Sequence, residues 1–580
     1  MKHTPSFSQG ERSLSLQSKR WQLAPPVSEQ HLARFPDLPP LIIQLLFNRE
    51  IADPAGAREF LAGRTVTDNP FRLKGMTDAV KRLRQAIRQG EPIAVYGDFD
   101  TDGVTATALL AQALSAVGGQ VEPYIPHRVD EGYGLNLDAL RRLHQKGVRV
   151  VVTVDCGIRS VHEVEQASRG LDLIVTDHHS TSGKLPPALA IINPKQPGCP
   201  YPHKNLSGVG VAFKLAQALF LVQKQVGKPS ALAIESLLDL VALGTVADLV
   251  RLLDENRSLV RRGLEALNNP GRPGIEALMA DAGLRRGEVD AAAISFRLAP
   301  RLNAAGRIDT AMLAYQLLTS RDPLETRKLA EKLGNLNQRR QELTEQIVTA
   351  AEAQILAGDP DARLYLAASK DFLPGIVGLA ASRLTEAYYR PSVVVGLGDD
   401  ESRGSCRSIP EFNIIAALDQ CADLLIRHGG HAAAAGFTVA TKNLDTLRHC
   451  LQAIAAEQLA DIELHPTLDI DAEIPLEEVN WATHALLGQI EPCGMGNPQP
   501  MLVSRAVEVC DVRAIGSERK HLKLLLRDAR GTAWDAIFFR HGDLLGQVPN
   551  RVDAAYILEI HEWNHEKRLQ LNIRDLRAAQ

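Results

Sequence analysis

The chain has 580 residues, 45% of them hydrophobic and 23% charged, with 65 Lys and Arg against 69 Asp and Glu. These values describe a globular protein with sizeable cores, and the length predicts three to five domains. They exclude a disordered chain and a uniformly basic one, so a track for a polyanion would have to be a local patch.

Met1 to Arg20 is polar and lacks the apolar core of a secretory signal. Up to residue 75 the chain is proline-bearing and weakly periodic, which predicts an N-terminal segment docked on the core that follows. From Met76 the pattern becomes regular. Met76, Ala79, Val80, Leu83 and Ile87 recur at helical spacing, and Gly90-Glu91-Pro92 ends that helix. Apolar runs at Ile93–Tyr96, Val121–Ile125, Val150–Val154, Leu173–Thr176 and Ala188–Ile192 then alternate with helical stretches. That alternation predicts a buried parallel sheet in an α/β domain over residues 76–260. The longest apolar run, Leu237 to Val250, carries Asp239 and Asp248 and is too short to span a bilayer, so no membrane partner is expected. Residues 261–358 read as a helical connector ending in a long charged helix. A second α/β domain is expected over 359–460, with strands near Leu364–Ala367 and Ser392–Val395. Residues 461–580 read as a small β-barrel, an OB-fold. Seven cysteines without CxxC spacing argue against structural zinc and fit a reducing cytoplasm.

The chemistry-bearing residues lie at predicted strand ends. The first strand runs into Gly97-Asp98-Phe99-Asp100-Thr101-Asp102-Gly103, the third into Asp155, and the fourth into Asp177-His178-His179. In open α/β sheets the binding crevice lies beyond the carboxyl ends of the strands. So much like charge in one crevice is costly unless a cation neutralises it. Oxygen ligands with one imidazole suit Mg2+ or Mn2+ better than zinc. A calcium EF-hand also opens Asp-x-Asp-x-Asp-Gly, but its twelfth position must be Glu, and here it is Leu109. Taken alone, Asp155 would read as a helix cap and Cys156 as a small buried residue.

Four runs in order resemble the signatures of the DHH phosphoesterases. They are Gly97-Asp98-Phe99-Asp100-Thr101-Asp102-Gly103, Thr153-Val154-Asp155-Cys156-Gly157, Asp177-His178-His179 and Leu243-Gly244-Thr245-Val246-Ala247-Asp248. The resemblance implies that Asp98, Asp100, Asp155, His178 and Asp248 hold two cations, Mg2+ or Mn2+. It places Asp102 and His179 beside them, with His179 touching the phosphate, Asp177 orienting the histidines, and Asp239 structural. Many relatives carry His where this chain has Tyr96, which leaves one cation with fewer strong ligands. Two cations would supply a nucleophilic water and neutralise the leaving oxygen.

Further runs resemble the RecJ branch of that superfamily: Ile125-Pro126-His127-Arg128, Leu206 to Lys214, Pro300-Arg301-Leu302-Asn303-Ala304-Ala305-Gly306-Arg307, and Glu491 to Pro498. A second lobe resembling the DHHA1 domain carries Gly375 to Arg383, Gly404-Ser405-Cys406-Arg407-Ser408 and Gly429-Gly430-His431. The resemblance implies DHH and DHHA1 domains joined by a long helix, with a C-terminal OB-fold. It implies a single-strand-specific 5′→3′ DNA exonuclease acting in recombination and repair with single-strand-binding protein and a helicase. Substrate contacts are expected from Arg128, Arg301, Asn303, Arg307, Ser405, Arg407 and His431. RecJ relatives often have His two residues before the counterpart of Gly375, where this chain has Leu373. In the barrel, Lys520, His521, Lys523, Arg527, Arg540 and Arg551 offer local positive charge. Trp534, Phe538, Phe539 and Trp563 either stack bases or pack the barrel core. A diesterase for short oligonucleotides and a non-catalytic DNA-binding scaffold are the competing readings.

Overall fold

The computed structural model describes residues 19–63, 68–128, 130–181, 183–563 and 566–579. Most of the polar stretch Met1 to Arg20, on which the absence of a secretory signal rests, lies outside them, as does the side chain of Trp563.

The first α/β unit holds a five-stranded, all-parallel sheet. Its spatial order is Gln120–Tyr124, Pro92–Gly97, Val150–Val154, Asp172–Thr176, Ala190–Ile192. The chain leaves Pro92–Gly97 to one side and then returns to its other side at Val150–Val154. The topological switch therefore lies where those two strands end, at Asp98 and Asp155, the place where such sheets form a crevice. Two glycines bring the crevice together. A Cβ on Gly97 would lie 1.9 Å from Thr107 Oγ1, and one on Gly103 would lie 2.5 Å from the Asp98 carbonyl oxygen. Only glycine lets the helix Thr101–Ala116 start this close to the strand before it.

The connector ends in the 35-residue helix Pro323–Ala357, which begins with Asp322 as N-cap and Pro323 in its first turn. The second lobe's five-stranded sheet is mixed, in the order Leu425–His431, Ala434–Ala440, Glu401–Arg407, Ser392–Gly396, Tyr365–Ser369, and only the last pair is parallel. The runs around Ser405 and Gly429 thus lie on antiparallel strands. Five strands, Leu502–Ile515, His521–Arg527, Ala533–Phe538, Glu566–Ala578 and Arg551–Trp563, close into a barrel through the pairing of the first with the last.

The N-terminal segment departs from expectation. Arg20–Leu23 pairs in parallel with Thr467–Ile470, and Ile42, Leu45, Leu46 and Phe60 share an apolar core with barrel residues such as Leu502, Val552 and Leu571. Most of its buried side chains dock on the barrel rather than on the phosphoesterase core. Arg257 links the two, donating to the carbonyls of Phe60 and Ile490.

Candidate active site

Asp98, Asp100, Asp102, Asp155, His178, His179 and Asp248 meet in one crevice. Carboxylate and imidazole ligand atoms form three overlapping groups, Asp98–Asp100–Asp155, Asp155–His178–His179 and Asp102–His178–Asp248, each within 4.8 Å. His178 Nε2 lies 3.1 Å from Asp155 Oδ1 and 3.4 Å from Asp248 Oδ2. Asp155 adopts a left-handed backbone, φ 61°, a conformation that Asp tolerates better than most residues. Among the described residues, Asp98 Oδ1, Asp155 Oδ1, Asp248 Oδ2 and both nitrogens of His178 are buried without a hydrogen-bond partner. Buried polar atoms are almost always satisfied, so this set asks for a bound cation. Oxygen donors with one neutral imidazole suit Mg2+ or Mn2+, and the residues fit that group.

Electrostatics say the same. Burial, and then the Asp100 charge, push Asp98 well above the usual carboxylate range. Burial and the Asp102 charge raise Asp155, and the same two causes push Asp248 up to about 9. Burial and the Asp100 charge bring Asp102 to about 7. Burial lowers His178 to about 3, leaving its imidazole neutral and able to ligate. Burial would raise Asp177, but the hydrogen bond and charge of His179 bring it down to about 2. Its Oδ1 lies 2.8 Å from His179 Nδ1 and accepts the backbone N–H groups of His178 and His179. Asp177 therefore fixes the histidine pair without facing the crevice.

A basic wall stands beside the cluster. Arg128 stacks 3.9 Å above the Phe99 ring, next to Asp98 and Asp100. Arg307 donates to the Gly375 carbonyl, while its Nε has no partner. Arg407 donates to Ser405 Oγ at 3.3 Å and to the Cys406 carbonyl. A Cβ on Gly378 would come 3.0 Å from Ser405 Oγ, so glycine keeps that ledge open. Burial, then repulsion from Arg128 and Arg340, lowers Arg307 to about 9. Among the described residues none of these three guanidinium groups is in an ion pair, and groups gathered this way are arranged for an anion. From here a cavity of about 1080 Å³ runs between the lobes to the barrel, lined by Val246, Thr344, Ser382, Met501 and Ile557 among others.

Three domain families match the chain: the DHH family N-terminal domain over residues 92–245, the DHHA1 domain over 362–457 and the RecJ OB domain over 470–575. The "Single-stranded-DNA-specific exonuclease RecJ" of Bacillus subtilis is 38% identical over 97% of this chain and 71% of its own length. The chain belongs to the RecJ family. The crystal structure of Thermus thermophilus RecJ in complex with Mn2+ superimposes with a TM-score of 0.82 at 30% identity, covering 97% of this chain and 80% of that one. The Mg2+ complex of the same protein gives 0.77 at 28% identity, covering 97% and 79%.

Within this RecJ-family chain some candidate residues sit apart from the crevice. Arg301 pairs with Asp281 at 2.7 Å and donates to the Arg297 carbonyl, and it is not among the cavity's lining residues. Asn303 lines the cavity, but its amide oxygen accepts the backbone N–H and the hydroxyl of Thr101, steadying the Asp100–Asp102 turn. Both oxygens of Asp102 accept backbone N–H groups, from Gly208 and Val209, so Asp102 chiefly ties two helices together beside the cluster. His431 is exposed on the edge strand, in register with Ala434 and, one strand further, Arg407. Asp239 is held by Arg272 at 2.6 Å. Tyr96 points away from any ligand position. Its hydroxyl donates to the Gly134 carbonyl, accepts the Asn136 N–H, and its ring stacks on Tyr124.

In the barrel, Lys520, Lys523 and Arg527 pair with Glu518, Asp535 and Glu508, which reduces the positive charge expected there. Phe538 is buried and Trp534 packs against the core, while Phe539 is exposed beside His521. Several neighbours of the crevice were not among the candidate residues. Lys195 lies within the field of Asp248 and Asp177, and the Tyr133 hydroxyl lies 3.4 Å from His179 Nε2. Arg340, from the connector helix, lines the cavity with its Nε unpartnered. Nothing in the local sequence sets Lys195 or Arg340 apart, whereas Tyr133 lies in Glu131-Gly132-Tyr133-Gly134-Leu135, a run that resembles RecJ.

Proposed function

We propose that this chain is an exonuclease that hydrolyses single-stranded DNA from the 5′ end with two divalent cations, Mg2+ or Mn2+. The observation that carries this reading is the set of buried, unsatisfied ligand atoms on Asp98, Asp155, His178 and Asp248, with Asp100 among them, beside arginines that make no ion pair among the described residues. Those five residues would hold the cations, which supply an activated water and offset charge on the leaving oxygen. Asp177 anchors the backbone of both histidines and holds the His179 ring through Nδ1, which turns His179 toward the scissile phosphate. Arg128, Ser405 and Arg407 bind the terminal 5′-phosphate, because planar guanidinium forks match phosphate oxygens and the Ser405 hydroxyl adds a donor. A fixed end pocket at a fixed distance from the cluster gives both exonucleolytic action and polarity. Arg307 holds the two lobes in register through Gly375 and offers its free Nε to the strand.

No described helix is long and apolar enough to cross a membrane. The setting that suits the reading is the cytoplasm, in recombination and repair, with a helicase supplying single strands and single-strand-binding protein covering them. The assignment of the end pocket is tested with Arg407→Ala. It should slow digestion of 5′-phosphorylated strands at least about ten-fold more than of 5′-hydroxyl strands, in line with a charge-assisted bond of about 1.5–3 kcal/mol. Equal slowing on both ends would make Arg407 a purely structural residue.

A further inference from the structure

Phe296 is the most exposed large apolar residue of the described chain, at 79%, yet it lines the interlobe cavity rather than the outer surface. A lone exposed Phe is ordinary on a protein surface. Three features set this one apart. It sits at the centre of a π-helical turn, Ile294–Leu298, a backbone form that is rare and concentrated at functional sites. That turn is pinned from outside, because Arg297 donates to the carbonyls of Ala282 and Gly283, so the Phe296 backbone is held while its ring stays uncovered. The helix Ala299–Ile308 continues directly from the turn, and Phe296, Pro300, Asn303 and Arg307 line the same cavity at roughly one residue per turn. The stripe starts at Arg307, beside the cation cluster, and ends on a free aromatic face.

We propose that Phe296 is a base-stacking residue of the strand track, holding one unpaired base a fixed number of nucleotides downstream of the cut. The proposal rests on the single-strand exonuclease reading. Eleven residues at about 1.5 Å each place Phe296 about 16 Å from Arg307 along the helix. Stacked nucleotides rise about 3.4 Å, so, counted from a nucleotide held beside Arg307, the base on Phe296 is about the fifth, and about the third if the strand is extended. An aromatic face suits this task because every base has a π-face, which gives grip without sequence preference. Leu249, 62% exposed on the same cavity wall one residue after Asp248, adds an apolar flank. Arg340, on the connector helix, lines the cavity with its Nε unpartnered and supplies charge for the backbone phosphates, whereas Arg383 on the second lobe is paired with Glu345.

The test pairs a protein change with a substrate change. A set of 5′-phosphorylated 20-mers, each with one abasic nucleotide at positions two to eight, is digested by the full-length wild-type protein, Phe296→Ala and Phe296→Trp. Stacking is expected to appear as a rise of about ten-fold in KM for Phe296→Ala on the intact strand, with kcat held. In the wild type, an abasic nucleotide at one position among three to five should raise KM by a similar factor. On that same substrate Phe296→Ala should add little, and Phe296→Trp should behave as wild type on the intact strand. A Phe296→Ala penalty that is absent, or equal at every abasic position, would overturn the proposal. A wild-type protein that digests none of the strands would overturn the exonuclease reading instead, which separates the two failures.

Discussion

Asp155 takes part in two of the three ligand groups and its Oδ1 is buried without a hydrogen-bond partner, so it is the position where the cation assignment is most exposed to test. Its φ of 61° favours Asn over Ala as the neutral replacement, since Ala pays about 1–2 kcal/mol in that region and Asn pays less. Asp155→Asn should reduce cleavage by more than about a hundred-fold, beyond the 10–100-fold typical of changes behind the ligands. Without metal it should unfold no earlier than the wild type, because it removes a charge from a repelling set. A turnover within a few-fold of wild type would remove Asp155 from the site. The same repulsion sets a pH dependence. The folded metal-free protein holds Asp102 at about 7 and Asp248 at about 9, above the ordinary carboxylate value of about 3.9. Between those limits the folded state binds protons that the unfolded state has released, so metal-free stability falls as pH rises from about 4 to about 9. Bound Mn2+ replaces those protons. The gain in Tm on adding Mn2+ should therefore be larger at pH 8 than at pH 6, and a gain independent of pH would contradict the carboxylate cluster as its source.

At the scale of elements, the parallel sheet was legible because continuous apolar runs such as Val150–Val154 can hardly be anything but buried strands between helices. Asp98, Asp155 and the Asp177-His178-His179 run were legible for the same reason, since they follow those runs directly, whereas Asp248 caps the helix Leu238–Ala247 and was named only through the family resemblance. The second lobe was harder. Glu401–Arg407 alternates exposed and buried residues, but Gly404 and Ser405 in its middle resemble a phosphate loop more than a strand. Arg301 and Arg307 could not be told apart by sequence, because only the helix direction decides that one meets Asp281 and the other the second lobe. The glycines that bring elements together give a sharp prediction. Ala normally stabilises a helical position over Gly by about 1 kcal/mol. At Gly103 a Cβ would lie 2.5–2.7 Å from backbone atoms of Asp98, which cannot swing aside. Gly103→Ala should instead destabilise by about 1–3 kcal/mol, as overpacking does, and weaken Mn2+ binding measured by calorimetry. A stabilised variant with unchanged metal affinity would show that the close approach of helix and strand is not required.

Over the whole molecule, the segment from Arg20 to Phe60 and the C-terminal barrel are built into one body. The helix Pro40–Asn48 buries Ile42, Leu45 and Leu46 against barrel residues, and Arg20–Leu23 extends Thr467–Ile470. This pairing was invisible in the sequence because it joins segments more than 400 residues apart. It also means that cutting the chain after Pro466 would uncover the apolar face of the N-terminal helices, so the barrel cannot be removed as a separable clamp. The cavity between barrel, connector and lobes reaches Arg307 beside the cation cluster, a shape suited to a strand fed in from one end. The most direct measurement is digestion of one 5′-phosphorylated oligonucleotide, labelled at either end, single-stranded or fully paired, with Mg2+, Mn2+ or chelator. Mononucleotides should leave from the 5′ label at once and the 3′ label late, with no digestion of the blunt duplex and none in chelator. Early release of the 3′ label, equal digestion of duplex, or cleavage in chelator would contradict the exonuclease reading.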